Sequence, residues 1–419
     1  LNKRIILLVS LLAALAVVVT ATVLLLSNPP EEETNDLLMV SDIPYETIQA
    51  MTITSESGVI RVERQGDGWV AAGSDMAVDS LTCEGMATYL SYVYAVNVIE
   101  ENAADLSRYG LDNPSLTAEL LLKDGSQVAF VFGVMTTDQS AVYFMKRGDG
   151  SVYTMRSDHF TQIRSTLTDI VDLSLPAVDS GNIASVSYKR GSVEQSVVRS
   201  DLFESGYAFE QSGAAASDAF MEQVSKTAKS RLNSYVGNEV KAEYGLDSGD
   251  YFRITDLAGT EMLVHLGAKT EDGKKYYCTV DGKRGVYLID EPYTAFIVDD
   301  VSLCMDKRLI PVAPENIVSI SWQGQGQQIE LAGGKTTING QPQSADVYDA
   351  LLGALQEAKA SGVVDSDVGD VVYTLTMTLP DNTIEIKLCE YLKGFYALDY
   401  GKGPSLYIKA EALKTLTDL

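Results

Sequence analysis

Tyr109-Gly110-Leu111-Asp112 returns unchanged as Tyr244-Gly245-Leu246-Asp247, 135 residues on (244 − 109). The flanking pattern returns with it. Ala141-Val142-Tyr143-Phe144 is answered by Lys275-Tyr276-Tyr277-Cys278, and Ser151-Val152-Tyr153-Thr154-Met155 by Gly285-Val286-Tyr287-Leu288-Ile289, both at a spacing of 134 (277 − 143). A nearly constant spacing across three separated stretches demands one domain used twice. The period lies well beyond the roughly 20–50 residues of solenoid repeats, so complete domains in tandem are predicted.

The chain divides into a transmembrane signal-anchor at 1–27, a linker at 28–44, repeat domains at 45–177 and 178–312, and a shorter, degenerate third repeat at 313–419. Asn2-Lys3-Arg4 precedes an apolar run from Ile5 to Leu26 whose only polar members are Ser10, Thr20 and Thr22. At about 1.5 Å of rise per residue this run reaches roughly 33 Å, enough to cross a hydrocarbon core of about 30 Å. A cleaved signal peptide is the rival reading, because Val19-Thr20-Ala21 has the small-residue form of a cleavage site. Val23-Leu24-Leu25-Leu26 carries the run past that point, which favours an uncleaved anchor. Basic residues before the run and Glu31-Glu32-Glu33 after it orient the N-terminus to the cytoplasm and the rest outside.

Within the first repeat, alternating apolar patterns predict strands around 51–53, 59–63 and 69–70, then at 116–122, 127–132, 141–145 and 151–155. Cys83, Met86, Leu90, Val93 and Tyr94 follow helical spacing and predict a helix over 80–97 carrying Tyr89, Tyr92 and Tyr94. A closing helix is expected from Ser157 with Phe160, Ile163, Leu167 and Ile170 on its apolar face. Short connections favour antiparallel pairing. The second repeat has the same order, with Ser217 as an N-cap and Pro292 at a helix start. In the third, Ile317-Val318-Ser319-Ile320-Ser321-Trp322 resembles Ile183-Ala184-Ser185-Val186-Ser187-Tyr188, but the Tyr-Gly-Leu-Asp stretch is missing. The fold class read from this is α+β: tandem antiparallel sheets with packed helices, after one N-terminal transmembrane helix.

Chemistry is sparse by comparison. The chain has 32 basic and 58 acidic residues, a net charge of −26, which repels phosphate backbones and excludes nucleic acid as an expected partner. His159 and His265 occupy non-equivalent positions, and no Gly-x-Ser-x-Gly stretch supplies a nucleophile elbow. Asp365-Ser366-Asp367-Val368-Gly369-Asp370 is a weak calcium pattern lacking the terminal glutamate of a twelve-residue loop. Asp-Gly pairs beginning at Asp67, Asp124, Asp149, Asp272 and Asp281 read mostly as hairpin turns. Cys83, Cys278, Cys304 and Cys389 show no metal spacing and read as buried thiols. No catalytic, cofactor or metal residue is therefore assigned. In Tyr109, Gly110, Leu111, Asp112, Tyr244, Gly245, Leu246 and Asp247, the glycines suit the left-handed residue that stops a helical turn, with tyrosine and leucine packing inward.

The run Tyr109-Gly110-Leu111-Asp112-Asn113-Pro114, the hairpin at Lys123-Asp124-Gly125 and the later Val-Tyr strand resemble the bacterial domain-of-unknown-function family numbered forty-three-forty. The second copy is looser, with Ser248-Gly249 in place of Asn-Pro. Members are often encoded beside ABC transporter subunits of the gliding-motility type. The resemblance implies a non-catalytic, membrane-anchored, extracytoplasmic accessory or scaffold of such a complex, and brings no cofactor. A module that binds wall polysaccharide or a surface protein is the alternative, followed by an uncharacterised extracytoplasmic enzyme.

Overall fold

The computed structural model describes residues 37–73, 76–163 and 166–418, which fall into two compact units, one reaching to Ile170 and the other running from Val171 and including residues 76–77. The expected transmembrane segment lies outside the described residues. Among those described, no helix is long and apolar enough to cross a membrane.

The first unit runs β1 (Leu38–Asp42), β2 (Ile48–Ser55), β3 (Gly58–Gln65), β4 (Gly68–Ala71), helix α1 (Ser80–Ser91), β5 (Tyr92–Ala95), β6 (Asn97–Glu100), β7 (Leu116–Leu122), β8 (Gln127–Met135), β9 (Ala141–Lys146) and β10 (Val152–Arg156). Eight of these strands form an antiparallel sheet in the order β4-β3-β2-β7-β8-β9-β10-β6, and β1 pairs with β5 in a separate ribbon. Strand alternation buries Leu116, Ala118 and Leu120 of β7 while their neighbours stay partly open. Asp79 caps α1 by accepting from the amides of Leu81 and Thr82, and Cys83, Met86, Ala87 and Leu90 face the core.

The second unit holds two further sheets. Strands β11 (Ile183–Arg190), β12 (Val193–Arg199) and β13 (Tyr207–Phe209) precede helix α2 (Asp218–Ala228), followed by β14 (Ser234–Gly237), β15 (Asp250–Asp256), β16 (Glu261–Lys269), β17 (Lys275–Val280) and β18 (Val286–Asp290). Their order, β13-β12-β11-β15-β16-β17-β18-β14, reproduces the first sheet strand for strand. Ser217 caps α2, and Phe220 from that helix meets Tyr188, Phe209 and Phe296 in an aromatic core. Then come β19 (Ser319–Gly324), β20 (Gln327–Ala332), β21 (Lys335–Ile338), β22 (Gln341–Pro342), α3 (Ala345–Glu357), β23 (Ala360–Val363), β24 (Val371–Thr378), β25 (Thr383–Glu390), β26 (Phe395–Asp399) and β27 (Pro404–Lys409). The order β22-β21-β20-β19-β24-β25-β26-β27-β23 is the same arrangement with one strand added at the margin. Loss of the Tyr-Gly-Leu-Asp stretch therefore leaves the topology of the third sheet complete, and the word degenerate applies to its motif alone.

Second and third sheets belong to one compact unit because the segment between them is shared. Leu309 donates its amide to Ala358, Ala360 donates to Lys307, and Arg308 binds Asp306 and Glu204. Gly213 passes so close to Tyr400 that a Cβ there would lie 2.9 Å from the Tyr400 carbonyl oxygen.

Several local expectations are corrected. The helix predicted over 80–97 ends at Ser91, because Tyr92-Val93-Tyr94-Ala95 pairs with Leu38–Asp42, residues expected to be linker. Aromatic and β-branched side chains that fit helical spacing also fit a pleated ribbon, and tertiary pairing decides between the two. The continuous closing helix is replaced by two short helical segments, Ser157–Phe160 and Leu167–Ile170. Pro292 opens a single 3-10 turn, Glu291–Thr294.

The strand paired to β10, β18 and β27 carries one extra residue each time. Val98 and Glu100 face successive residues of β10, so Ile99 is bulged out; Val236 and Ser361 occupy the same position in β14 and β23.

Candidate functional site

Ser107–Tyr109 forms a 3-10 turn that Gly110 terminates at φ 66°, ψ 22°, its amide donating to the Ser107 carbonyl. Ala242–Tyr244 and Gly245 repeat this at φ 60°, ψ 27°. Tyr109, Leu111 and Tyr244 are buried, Leu246 is half-buried, and Asp112 and Asp247 are exposed. Tyr109 and Leu111 pack with Val131 and Val152, the Tyr109 ring lies 5.1 Å from Tyr143, and its hydroxyl donates to Glu100. In the second copy Tyr244 stacks on Tyr277 at 4.4 Å. Both predicted tetrapeptides thus sit against the sheet as packing devices.

Their receiving surface was legible only through the repeat itself. Gly133 in β8 and Gly267 in β16 lie beneath the tyrosine carbonyls, where no side chain fits. Three residues further on, Thr136 Oγ1 donates to Asp138 and Thr270 Oγ1 donates to Asp272, both at 2.6 Å. A Gly-x-x-Thr-x-Asp pattern recurs at the same spacing as the tyrosine strands, running from the ends of β8 and β16 into a loop whose polar residues lie outside any apolar periodicity.

That loop borders a cleft of about 660 Å³ in the first unit. Its floor is the face of β9, β10 and β6 carrying Tyr143, Thr154 and Asn97; Arg156 and Asp158 stand at one side, paired at 2.6 Å. Hydrogen bonds from Thr136 and Ser140 hold the Asp138 carboxyl down to about 2. An Asp138 this acidic is too weak a base to activate the Ser140 hydroxyl it accepts from, so the arrangement anchors a turn and presents acceptors. The Arg156 hydrogen bonds likewise hold Asp158 low. Chemically, the cleft offers hydroxyl, amide, guanidinium and carboxylate groups beside Val96, Ile99 and Ala141. A smaller hollow of about 470 Å³ occupies the corresponding corner of the second sheet, around Gly273, Asp290 and Tyr293.

The histidines are not brought together. His159 packs near Tyr89, and the half-exposed His265 side chain lies 3.6 Å from Asp281 on the interior strand β16. Asp365 accepts from the Tyr391 hydroxyl, and among the described residues no group of three or more His, Cys, Asp or Glu side chains converges as a metal site. Gly125, Gly150, Gly273 and Gly282 of the Asp-Gly pairs adopt positive φ in tight turns. All four cysteines are free and buried.

Two overlapping stretches, residues 69–249 and 218–376, match the family described as Domain of unknown function (DUF4340). The chain belongs to this family. The second match begins at α2, in mid-repeat, and extends into β24, so the family's unit runs across the joint between successive sheets. No curated protein and no solved structure matches the chain.

Proposed function

We propose that the chain is a non-catalytic, membrane-anchored extracytoplasmic protein that serves as an accessory or scaffold of an ABC-type transporter complex. Membership of the family carries this reading, together with the apolar run at residues 5–26 flanked by basic and acidic ends. The strong surface acidity suits a domain held off an anionic bilayer by repulsion. Tandem copies whose shared motif is spent on internal packing leave the outer faces free to diverge as contact surfaces.

The test is affinity purification of the full chain from detergent-solubilised membranes. A permease and an ATPase of one ABC-type transporter should co-purify in fixed proportion. Retention on purified wall material without those subunits would transfer the assignment to an envelope-binding module, and protease resistance of the bulk of the chain on intact cells would overturn the outward orientation.

A further inference from the structure

We propose that the cleft of the first unit binds a neutral saccharide bearing an acetamido group, with Thr154 and Asn97 as its hydrogen-bonding floor. Asn97, Thr154 and Tyr143 are direct cross-strand neighbours on β6, β10 and β9, so all three project from one face of the sheet into the same cleft. Thr154 is only 3% exposed, and its hydroxyl has no hydrogen-bond partner among the described residues. An unpaired hydroxyl is unfavourable at a buried position, where valine would fill the same space.

The chain contains its own control. The residue between Tyr277 and Ser234 in the second sheet is Leu288, and Asp290 replaces Arg156 and accepts from Asn233. The fold accepts an apolar residue at this position, so the hydroxyl of Thr154 is not required for packing. The oxygen is enclosed in this structure, and a rotamer step about χ1 would turn it towards the cleft.

Ligand class follows from charge and shape. Asp138 and Asp158 outnumber Arg156, which disfavours phosphates and carboxylates. The carboxylate oxygens retain lone pairs for ligand hydroxyls, and Arg156 uses Nε and Nη2 on Asp158, leaving the Nη1 hydrogens for another acceptor. Asn97 can both donate to and accept from an amide, while Ile99 and Ala141 provide an apolar wall for its methyl group. The volume lies within the roughly 300–1,000 Å³ usual for ligand clefts. An extended peptide added to β6 is the competing occupant, and the bulge at Ile99 disfavours it by breaking the regular ladder edge.

This site is independent of the transporter reading, since it concerns the first unit alone and is tested without partners. Saturation-transfer NMR on the purified full chain in detergent, with N,N′-diacetylchitobiose as probe, should show transfer centred on the acetamido methyls. Thr154→Val should weaken binding about tenfold, the effect of removing one buried hydrogen bond, with an unchanged or raised unfolding midpoint. Asn97→Ala, at an exposed position, should weaken it as well and guards against a folding defect in the first variant. Absence of transfer up to about 10 mM probe, a concentration at which even weak specific sites fill, would overturn the proposal. So would binding unaltered by both substitutions, or displacement of the sugar by an extended hexapeptide that binds more tightly.

Discussion

The carbonyl oxygen of Tyr109 stands 1.9 Å from the point a Cβ on residue 133 would occupy, and Gly133 is what allows the two backbones to meet. Tyr244 and Gly267 repeat the approach at 2.0 Å. Since the obstacle is main chain, neither side can yield by a rotamer change. Gly133→Ala and Gly267→Ala should each destabilise the chain by about 1–3 kcal/mol or more, as overpacking does. Gly85→Ala, in α1 with open space around it, should instead stabilise by about 0.5–1 kcal/mol. Urea unfolding of the three variants checks the contrast, and equal effects would refute the backbone-contact account.

Lys283 binds the Asp172 carboxylate at 2.6 Å and its carbonyl oxygen at 3.0 Å, tying the start of the second unit to the turn between β17 and β18. Burial alone pushes the Asp172 carboxyl up, but hydrogen bonds from Lys283 and Ser174 outweigh it and hold the group below its ordinary 3.8. A lowered folded value means the stabilisation is complete above that ordinary value and disappears as pH falls through the folded one. Asp172→Asn should therefore cost about 1–2 kcal/mol at neutral pH, a figure discounted for the partial exposure of the pair. The difference from the parent chain should shrink once pH drops below 3.8. A gap that stays constant across that range in denaturant titrations would rule out the linkage.

Arg308 engages Asp306 through Nε and Nη2 and reaches Glu204 through Nη1 at 2.7 Å. The Asp306 side chain is only 11% exposed, so losing the guanidinium leaves a carboxylate without its partner beside the joint of the second and third sheets. Arg308→Ala should cost about 1–3 kcal/mol, and Arg308→Lys should recover only part of it because an ammonium cannot form the planar fork. Calorimetry should show the second unit's transition broadening; a sharp, unshifted transition would remove Arg308 from the joint.

Burial pushes the Cys83 thiol up to about 12 and Cys304 to about 11, with Cys278 and Cys389 displaced in the same direction. The reactive species is the thiolate, so native-state alkylation near pH 8 should be far slower than for a free thiol and should accelerate on adding urea. Mass spectrometry of quenched samples distinguishes the four sites. Rapid labelling of any one in the native chain contradicts its burial.

The repeat was legible because it is written in residues with narrow structural roles: a glycine at positive φ, a tyrosine beside it, and strands of fixed spacing. Strand positions in the second half of each copy, such as those expected at 116–122 and 141–145, followed directly from apolar alternation and match the observed strands to within one residue. Tyr92-Val93-Tyr94-Ala95 was misread because its spacing suits helix and strand alike, and its partner at Leu38–Asp42 lay in a stretch with no period of its own. Thr154 was invisible for a different reason. Its sequence neighbours are ordinary strand residues, and only the register that sets it between Asn97 and Tyr143 gives the hydroxyl meaning.

Among the described residues, each of the three large sheets ends in strands that are hard to extend. At one margin Ile99, Val236 and Ser361 kink the outer strand, and at the other the last strands are only 4, 3 and 2 residues long, the shortest ending in Pro342. Proteins crowded side by side can nucleate fibres by sharing hydrogen bonds across such margins. The six blunted ends of the large sheets remove the long regular edges on which such sharing would begin, so duplication added β-sheet without adding templates for it.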